Sequence, residues 1–207
     1  MNLKQRFGQE SSLLRLHYKE NNLPSLMCQH IMNWFPYQPR EYVAVCIGTD
    51  RSTGDALGPL TGMYFETYKP RHIRVYGTIH EPVHAVNLEE SLERIYKLHN
   101  NPFIIAIDAC LGRSTSIGHI ITEKKSLQPG TALNKTLPAV GDISITGVVN
   151  VSGFMEHSIL QNTRLSVVMD MAKQVSGILE DIDDQLTYVR IPTVIQARKE
   201  KSNPEII

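Results

Sequence analysis

Apolar positions along this chain change their period near residue 40. Before it, Leu13, Leu14 and Leu16 precede a polar stretch, and Leu26, Ile31, Met32 and Phe35 then recur at roughly helical spacing. Pro36 and Pro39 close the segment, which predicts a helical N-terminal part packed on the remainder. Residues 42–47 form a continuous apolar run ending at Gly48, as expected of a strand buried on both faces of a parallel sheet. Residues 56–68 predict a helix, with Asp55 as its N-cap and Pro59 in its first turn. A second strand is expected over 72–76, then a helix over 87–98 with Leu88, Leu92, Ile95 and Tyr96 on one face. Residues 102–107 read as a third buried strand that ends on Asp108.

Further along, residues 118–122 and 147–151 predict a fourth and a fifth strand. A long last helix is expected over 158–182, with Leu165, Val168, Met169, Ala172, Val175 and Leu179 as its apolar stripe. Residues 185–195 are β-prone without an assigned place, and Arg198, Lys199, Glu200 and Lys201 mark a solvated end. The pattern divides into an N-terminal helical segment (1–40), an α/β domain (41–185) and a C-terminal tail (186–207). With 207 residues the chain is long enough for one domain with a real core.

Strands joined by helices imply a mostly parallel sheet with right-handed crossovers, and such sheets gather chemistry at the carboxyl ends of their strands. Residues 48–59 leave the first strand there, and residues 107–113 leave the third. If the strand order is second, first, third, the two strands are neighbours about 4.8 Å apart, and Asp55 faces Asp108. Two such carboxylates repel, so one tends to keep a proton, and the pair can orient a water as base and acid. They can equally offer hard oxygen ligands to a metal. The structural alternative makes Asp55 a helix cap and Asp108 an acceptor of loop amides. Asp50, nearer the strand end, rivals Asp55 for the acidic role.

Composition narrows the classes. Lys and Arg total 21 and Asp and Glu total 21, which argues against a strongly basic nucleic-acid surface. No apolar run approaches the ~20 residues of a membrane helix, and the polar first ten residues suggest no secretory signal. Cys28, Cys46 and Cys110 are odd in number and lack C-x-x-C spacing, so neither a disulfide framework nor a zinc knuckle is expected. A reduced, cytoplasmic setting fits, with Cys46 and Cys110 as packed thiols. The glycine-rich loop matches neither G-x-G-x-x-G nor the phosphate-binding loop, so no organic cofactor is expected.

Other side chains belong to the same edge. His80 and His84 are four apart, but Pro82 disfavours a helix, so the expectation is a loop contributing a histidine to the crevice. Arg51 and Arg113 bring positive charge that suits a peptide carboxylate. Asn150 and Ser152 suit a peptide backbone or an oxyanion, or else serve a turn. His157, beside Glu156, reads as a cap-region residue.

The segment Cys46-Ile-Gly-Thr-Asp-Arg-Ser-Thr-Gly-Asp-Ala-Leu-Gly-Pro59, followed by Ile105-Ala-Ile-Asp-Ala109, resembles the spore germination protease family. The likeness to that group's shorter sporulation relatives runs from about residue 20 to about residue 185. It implies a three-layer α/β/α fold with a mostly parallel sheet, phosphorylase/hydrolase-like, as in the hydrogenase maturation peptidases. In the germination proteases the aspartates of D-A-L-G-P and I-D-A are the proposed catalytic pair, which fall on Asp55 and Asp108. In the maturation peptidases the corresponding acids bind nickel with a later histidine. Its loosely aligned place is residues 141–144, where Asp142 stands instead. A carboxylate there suits harder ions than nickel, so no metal is assigned.

The resemblance implies a germination-protease-like peptidase or hydrolase acting in sporulation, in the cytoplasm of the sporulating cell or forespore. An aspartate pair would activate water against a protein or peptide substrate. Asp50, Arg51, His80, His84 and Asp142 are the expected substrate-binding residues, and the chain is a possible homo-oligomer with no nucleic-acid or membrane partner. The other reading is a catalytically inactive sporulation protein that binds a peptide or protein partner through the same crevice.

Overall fold

The computed structural model describes residues 11–129 and 137–189. In chain order the elements are β1 (Leu13–His17), α1 (Leu23–Met32), β2 (Tyr42–Cys46), α2 (Leu57–Thr67), β3 (Ile73–Tyr76) and α3 (Leu88–Leu98). They continue with β4 (Phe103–Gly112), β5 (His119–Glu123), β6 (Ile143–Val151), α4 (Glu156–Gln161) and α5 (Leu165–Val189). Short 3-10 turns occupy Gly54–Ala56 and Ser114–Ser116.

All six strands form one sheet, ordered β1-β5-β6-β4-β2-β3. β3, β2, β4 and β6 run parallel, while β5 pairs antiparallel with β6 and β1 antiparallel with β5. The first three strands expected from sequence therefore lie in the expected order, with β2 between β3 and β4. Every residue of β2 is buried, because both faces of the sheet are covered there. Ala44, Cys46, Ile105, Ile107, Ile143 and Ile145 pack beneath α1, α2 and α5. Val43, Val45, Ile47, Ile104 and Ala106 pack against Leu88, Leu92 and Ile95 of α3. This is the α/β architecture of three layers that the alternating pattern implies.

Three expectations change. Leu13, Leu14 and Leu16 belong to an edge strand: Leu14 and Leu16 reach the core with a period of two, and the register pairs them with Thr122 and Ile120. The N-terminal part is thus a strand and one helix rather than wholly helical. The fourth strand is antiparallel, which leaves β5 and β1 as an antiparallel flank on a parallel centre. The long last helix is two helices. Thr163 Oγ donates to the Ile159 carbonyl at 2.9 Å, and Asn162 Nδ2 donates to the Ser158 carbonyl at 2.8 Å, so side chains close the end of α4 before α5 begins. α5 then runs on to Val189, through the first residues of the expected tail; residues 190–207 lie outside the described residues.

α5 is tied to the sheet by one carboxylate. Asp183 is 6% exposed and accepts the backbone N–H groups of Arg71, His72 and Ile73 at 2.9, 2.8 and 2.8 Å, fixing the start of β3. Among the described residues no helix is long and apolar enough to cross a membrane. Asp183→Ala leaves those amides without an acceptor and is expected to lower stability by about 3 kcal/mol. The effect is read as a lower urea midpoint at unchanged slope. Asp183→Asn keeps one acceptor oxygen and should lose about half as much.

Candidate active site

β4 outlasts β2, and this difference in length creates the site. The pairing of β2 with β4 ends at Cys46 and Ile107, and Ile47 N–H still reaches the Ile107 carbonyl at 2.7 Å. Asp108 is the next residue of β4, and from there the strand is paired on one side only, with Thr146 of β6 opposite Asp108. The sequence pattern predicts a strand that ends on Asp108; instead Asp108 lies inside β4, at the step where the sheet narrows. Alternation sets its side chain with that of Ala106, on the α3 side of the sheet, while Ala109 turns toward the opposite core.

The turn after β2 brings Asp55 back to this step. Gly48 has φ +144, and a Cβ there would lie 1.9 Å from the Asp55 carbonyl oxygen. Thr49 N–H donates to that same carbonyl at 3.2 Å, closing the loop. A Cβ at Gly58 would lie 2.0 Å from the Ile47 carbonyl oxygen, so the start of α2 also sits directly on the end of β2. Asp55 falls inside the 3-10 turn, and the residue capping α2 is Ala56, with no side-chain cap bond. The expected N-cap role of Asp55 is thus not used.

The two carboxyls differ electrostatically. Burial raises Asp108 to about 8; the Ala109 N–H, donating to Oδ1 at 2.8 Å, works against this, and the charge of Asp55 adds to it. Burial also raises Asp55, but the neighbouring Ser52 hydroxyl and His157 of α4 oppose it. Near neutral pH Asp108 holds a proton, which is the form that donates. Gly54, at the head of the Asp55 turn, packs against Leu160 and Thr163, which holds α4 and its exposed His157 over the turn.

A family model described as a protein of unknown function, DUF1256, matches residues 15–178. The chain belongs to the DUF1256 family. The uncharacterized protein YyaC of Bacillus subtilis (strain 168) is 57% identical over 130 residues, which is 63% of this chain and 63% of that protein's length. Among solved structures, the NiFe hydrogenase maturation protease HycI from Thermococcus kodakarensis KOD1 is similar at 15% identity, over 70% of this chain and 95% of that one, with a TM-score of 0.49.

In this DUF1256 chain the other expected residues scatter. Asp142 stands at the opposite edge of the sheet, just before β6 begins beside Ile105 of β4. Its carboxylate accepts the Ile104 N–H at 2.8 Å and pairs with Arg40 at 3.5 Å, so it holds β4 and not a substrate. Asp50 and Arg51 are exposed in the loop, bonded locally through Thr49 Oγ at 3.5 and 3.2 Å. Val83 bridges to Ile47 and brings the 78–87 loop against the end of β2. His84 sits there with its amide bonded to Asn87 and a buried Nδ1 without a partner, while His80 is exposed. Neither histidine is among the groups that shift Asp55 or Asp108. Asn150 is engaged by the Ile159 carbonyl and Thr163, and Ser152 by the Gly112 carbonyl, so both anchor chain segments. Burial raises the Cys110 thiol to about 11, with the charge of Asp108 adding to the effect, and that makes it a poor nucleophile.

Ser52 is a residue that the sequence pattern leaves unmarked, and His157 reads from sequence only as a cap-region residue; both act on Asp55. The S-x-x-D spacing of Ser52 and Asp55 is a visible signal; the approach of His157 depends on where α4 docks. Among the described residues no group of three or more His, Cys, Asp or Glu side chains is gathered closely enough to hold a metal ion. Since Asp108 titrates near 8 instead of in the usual range, its contribution to stability is full below about pH 4 and fades as the pH rises to 8. Asp108→Asn, uncharged throughout, should melt higher than the wild type at pH 8, with a difference that shrinks steadily toward pH 4.

Proposed function

We propose that this chain is a germination-protease-like peptidase acting in sporulation, in which Asp55 and Asp108 hydrolyse a peptide bond through water. One observation carries the reading: at the narrowing step of the sheet Asp55 lies near enough to Asp108 for its charge to act there, and burial raises both carboxyls, Asp108 to about 8, while the Ser52 hydroxyl and His157 oppose the rise at Asp55. The likeness of the two strand-end segments to the germination proteases supports the substrate class and the setting.

In this mechanism a water lies between the carboxyls and the substrate carbonyl. Asp55 takes a proton from the water as its oxygen bonds to the carbonyl carbon. Asp108 gives its proton to the amide nitrogen as the C–N bond breaks, releasing a carboxylic acid and an amine. The proton on Asp55 then passes to solvent, and Asp108 regains one. No side chain becomes covalently attached, which agrees with a Cys110 thiol too basic to act as nucleophile. Because Asp108 must be protonated, the rate should fall as the pH rises through about 8.

The test incubates the full chain with a peptide mixture drawn from a spore-former's proteome and reads new termini by mass spectrometry. Wild-type protein should generate new termini, and Asp55→Asn and Asp108→Asn should each reduce their rate of formation by about 10²–10⁴-fold. Cleavage that survives in both variants would overturn the pair. Peptides retained intact by the wild-type protein would favour the binding-only reading instead.

A further inference from the structure

Where β4 outlasts β2, one side of the strand is an open edge. Ile47 N–H donates to the Ile107 carbonyl at 2.7 Å, so Ile107 turns its peptide groups toward β2. The Ile104 and Gly112 carbonyls accept the Asp142 and Ser152 amides at 2.8 and 2.7 Å, so the even-numbered residues turn toward β6. The register shift between Cys110 and Leu111 does not disturb this, because its extra residue, Val149, lies in β6. A strand alternates its peptide groups between its two sides, and Ala109 and Leu111 therefore present theirs to the side that β2 has left. Asp108 Oδ1 accepts the Ala109 N–H there at 2.8 Å. Among the described residues the Ala109 carbonyl and both the N–H and the carbonyl of Leu111 have no hydrogen-bond partner. Residues 108–112 are all partly exposed. Such an edge is a template for pairing with another chain.

We propose that this edge binds the substrate: an extended segment of polypeptide adds to β4 beside residues 109–111 as a further strand. This rests on the peptidase reading above. When a peptide extends a sheet, main-chain hydrogen bonds supply the affinity. The peptide here donates to the Ala109 and Leu111 carbonyls and accepts from the Leu111 N–H. The fourth group on that side, the Ala109 N–H, is already held by Asp108. In either direction of the added strand, the peptide carbonyl that would take this N–H is the one brought to the Asp108 carboxyl. The backbone of β4 thus selects which peptide bond meets the pair, with no demand on a particular substrate side chain. The segment must be extended and free of proline where it donates, since proline has no N–H to give the two carbonyls.

The test measures amide hydrogen exchange by NMR in the full-length Asp55→Asn protein, with and without the peptide mixture of the preceding test. The Leu111 amide should exchange about tenfold more slowly with peptide present, as for the gain of one backbone hydrogen bond. In a second arm Leu111→Pro removes the N–H at an edge position where proline is tolerated, and Leu111→Ala removes the side chain alone. With a cleaved peptide, kcat/KM should be about tenfold lower for the proline variant than for the alanine variant, through KM and with the same pH profile. The exchange measurement needs no substitution at Leu111, so it decides the matter if the proline variant does not fold. A Leu111 amide that exchanges equally with and without peptide overturns the strand addition, whatever the wild type cleaves. A slowed Leu111 amide with peptides that the wild type leaves intact keeps the strand addition and overturns the peptidase reading alone.

Discussion

The contact on which the site depends is made by backbone alone. The turn leaving β2 folds back so closely that the Asp55 carbonyl occupies the space a side chain at Gly48 would need. At Gly58 the same is true of the Ile47 carbonyl. Two missing Cβ atoms therefore let the turn and the first residues of α2 seat on the end of β2, and the position of the Asp55 side chain follows from that seating.

The second constraint is the unequal length of neighbouring strands. β4 continues five residues beyond its last partner in β2, from Asp108 to Gly112, supported by β6. The first of those residues is held by strand geometry, yet has lost the neighbour that would have covered it. That combination explains how an ionisable side chain can stand in the middle of a strand. It also explains the electrostatics, since the surrounding protein disfavours charge there. The turn from β2 fills part of the vacated space and carries Asp55 into it.

The helical layer supplies the last pieces. The break between α4 and α5 lets the short helix dock over Gly54, bringing His157 toward Asp55, while α5 packs across the sheet. Asp183 clamps α5 to the beginning of β3, far along the chain from either catalytic candidate. Carboxylates at the starts of β3 and β4, Asp183 and Asp142, thus hold backbone amides, while Asp55 and Asp108 stand at the other end of the strands. Asp142 shows why residue type alone misleads, because an acid at the wrong end of a strand is a structural acceptor.

The sequence by itself determined the alternation of strands and helices and the location of Asp55 and Asp108 at the carboxyl end of the sheet. These are legible because buried parallel strands are uninterrupted apolar runs, and because right-handed crossovers deliver every strand's carboxyl end to the same side. Only the tertiary structure decided that Leu13–His17 is a strand, that β5 and β1 run antiparallel and that the last helix is divided. Short apolar segments take their period from the partner they pack on, and β1 finds its partner more than a hundred residues later, in β5. The shifted titrations of the two carboxyls belong to the same category. They are set by burial, by the Ser52 hydroxyl and by a histidine from α4, and no local spacing encodes how deep a carboxyl will lie or which distant charge will face it.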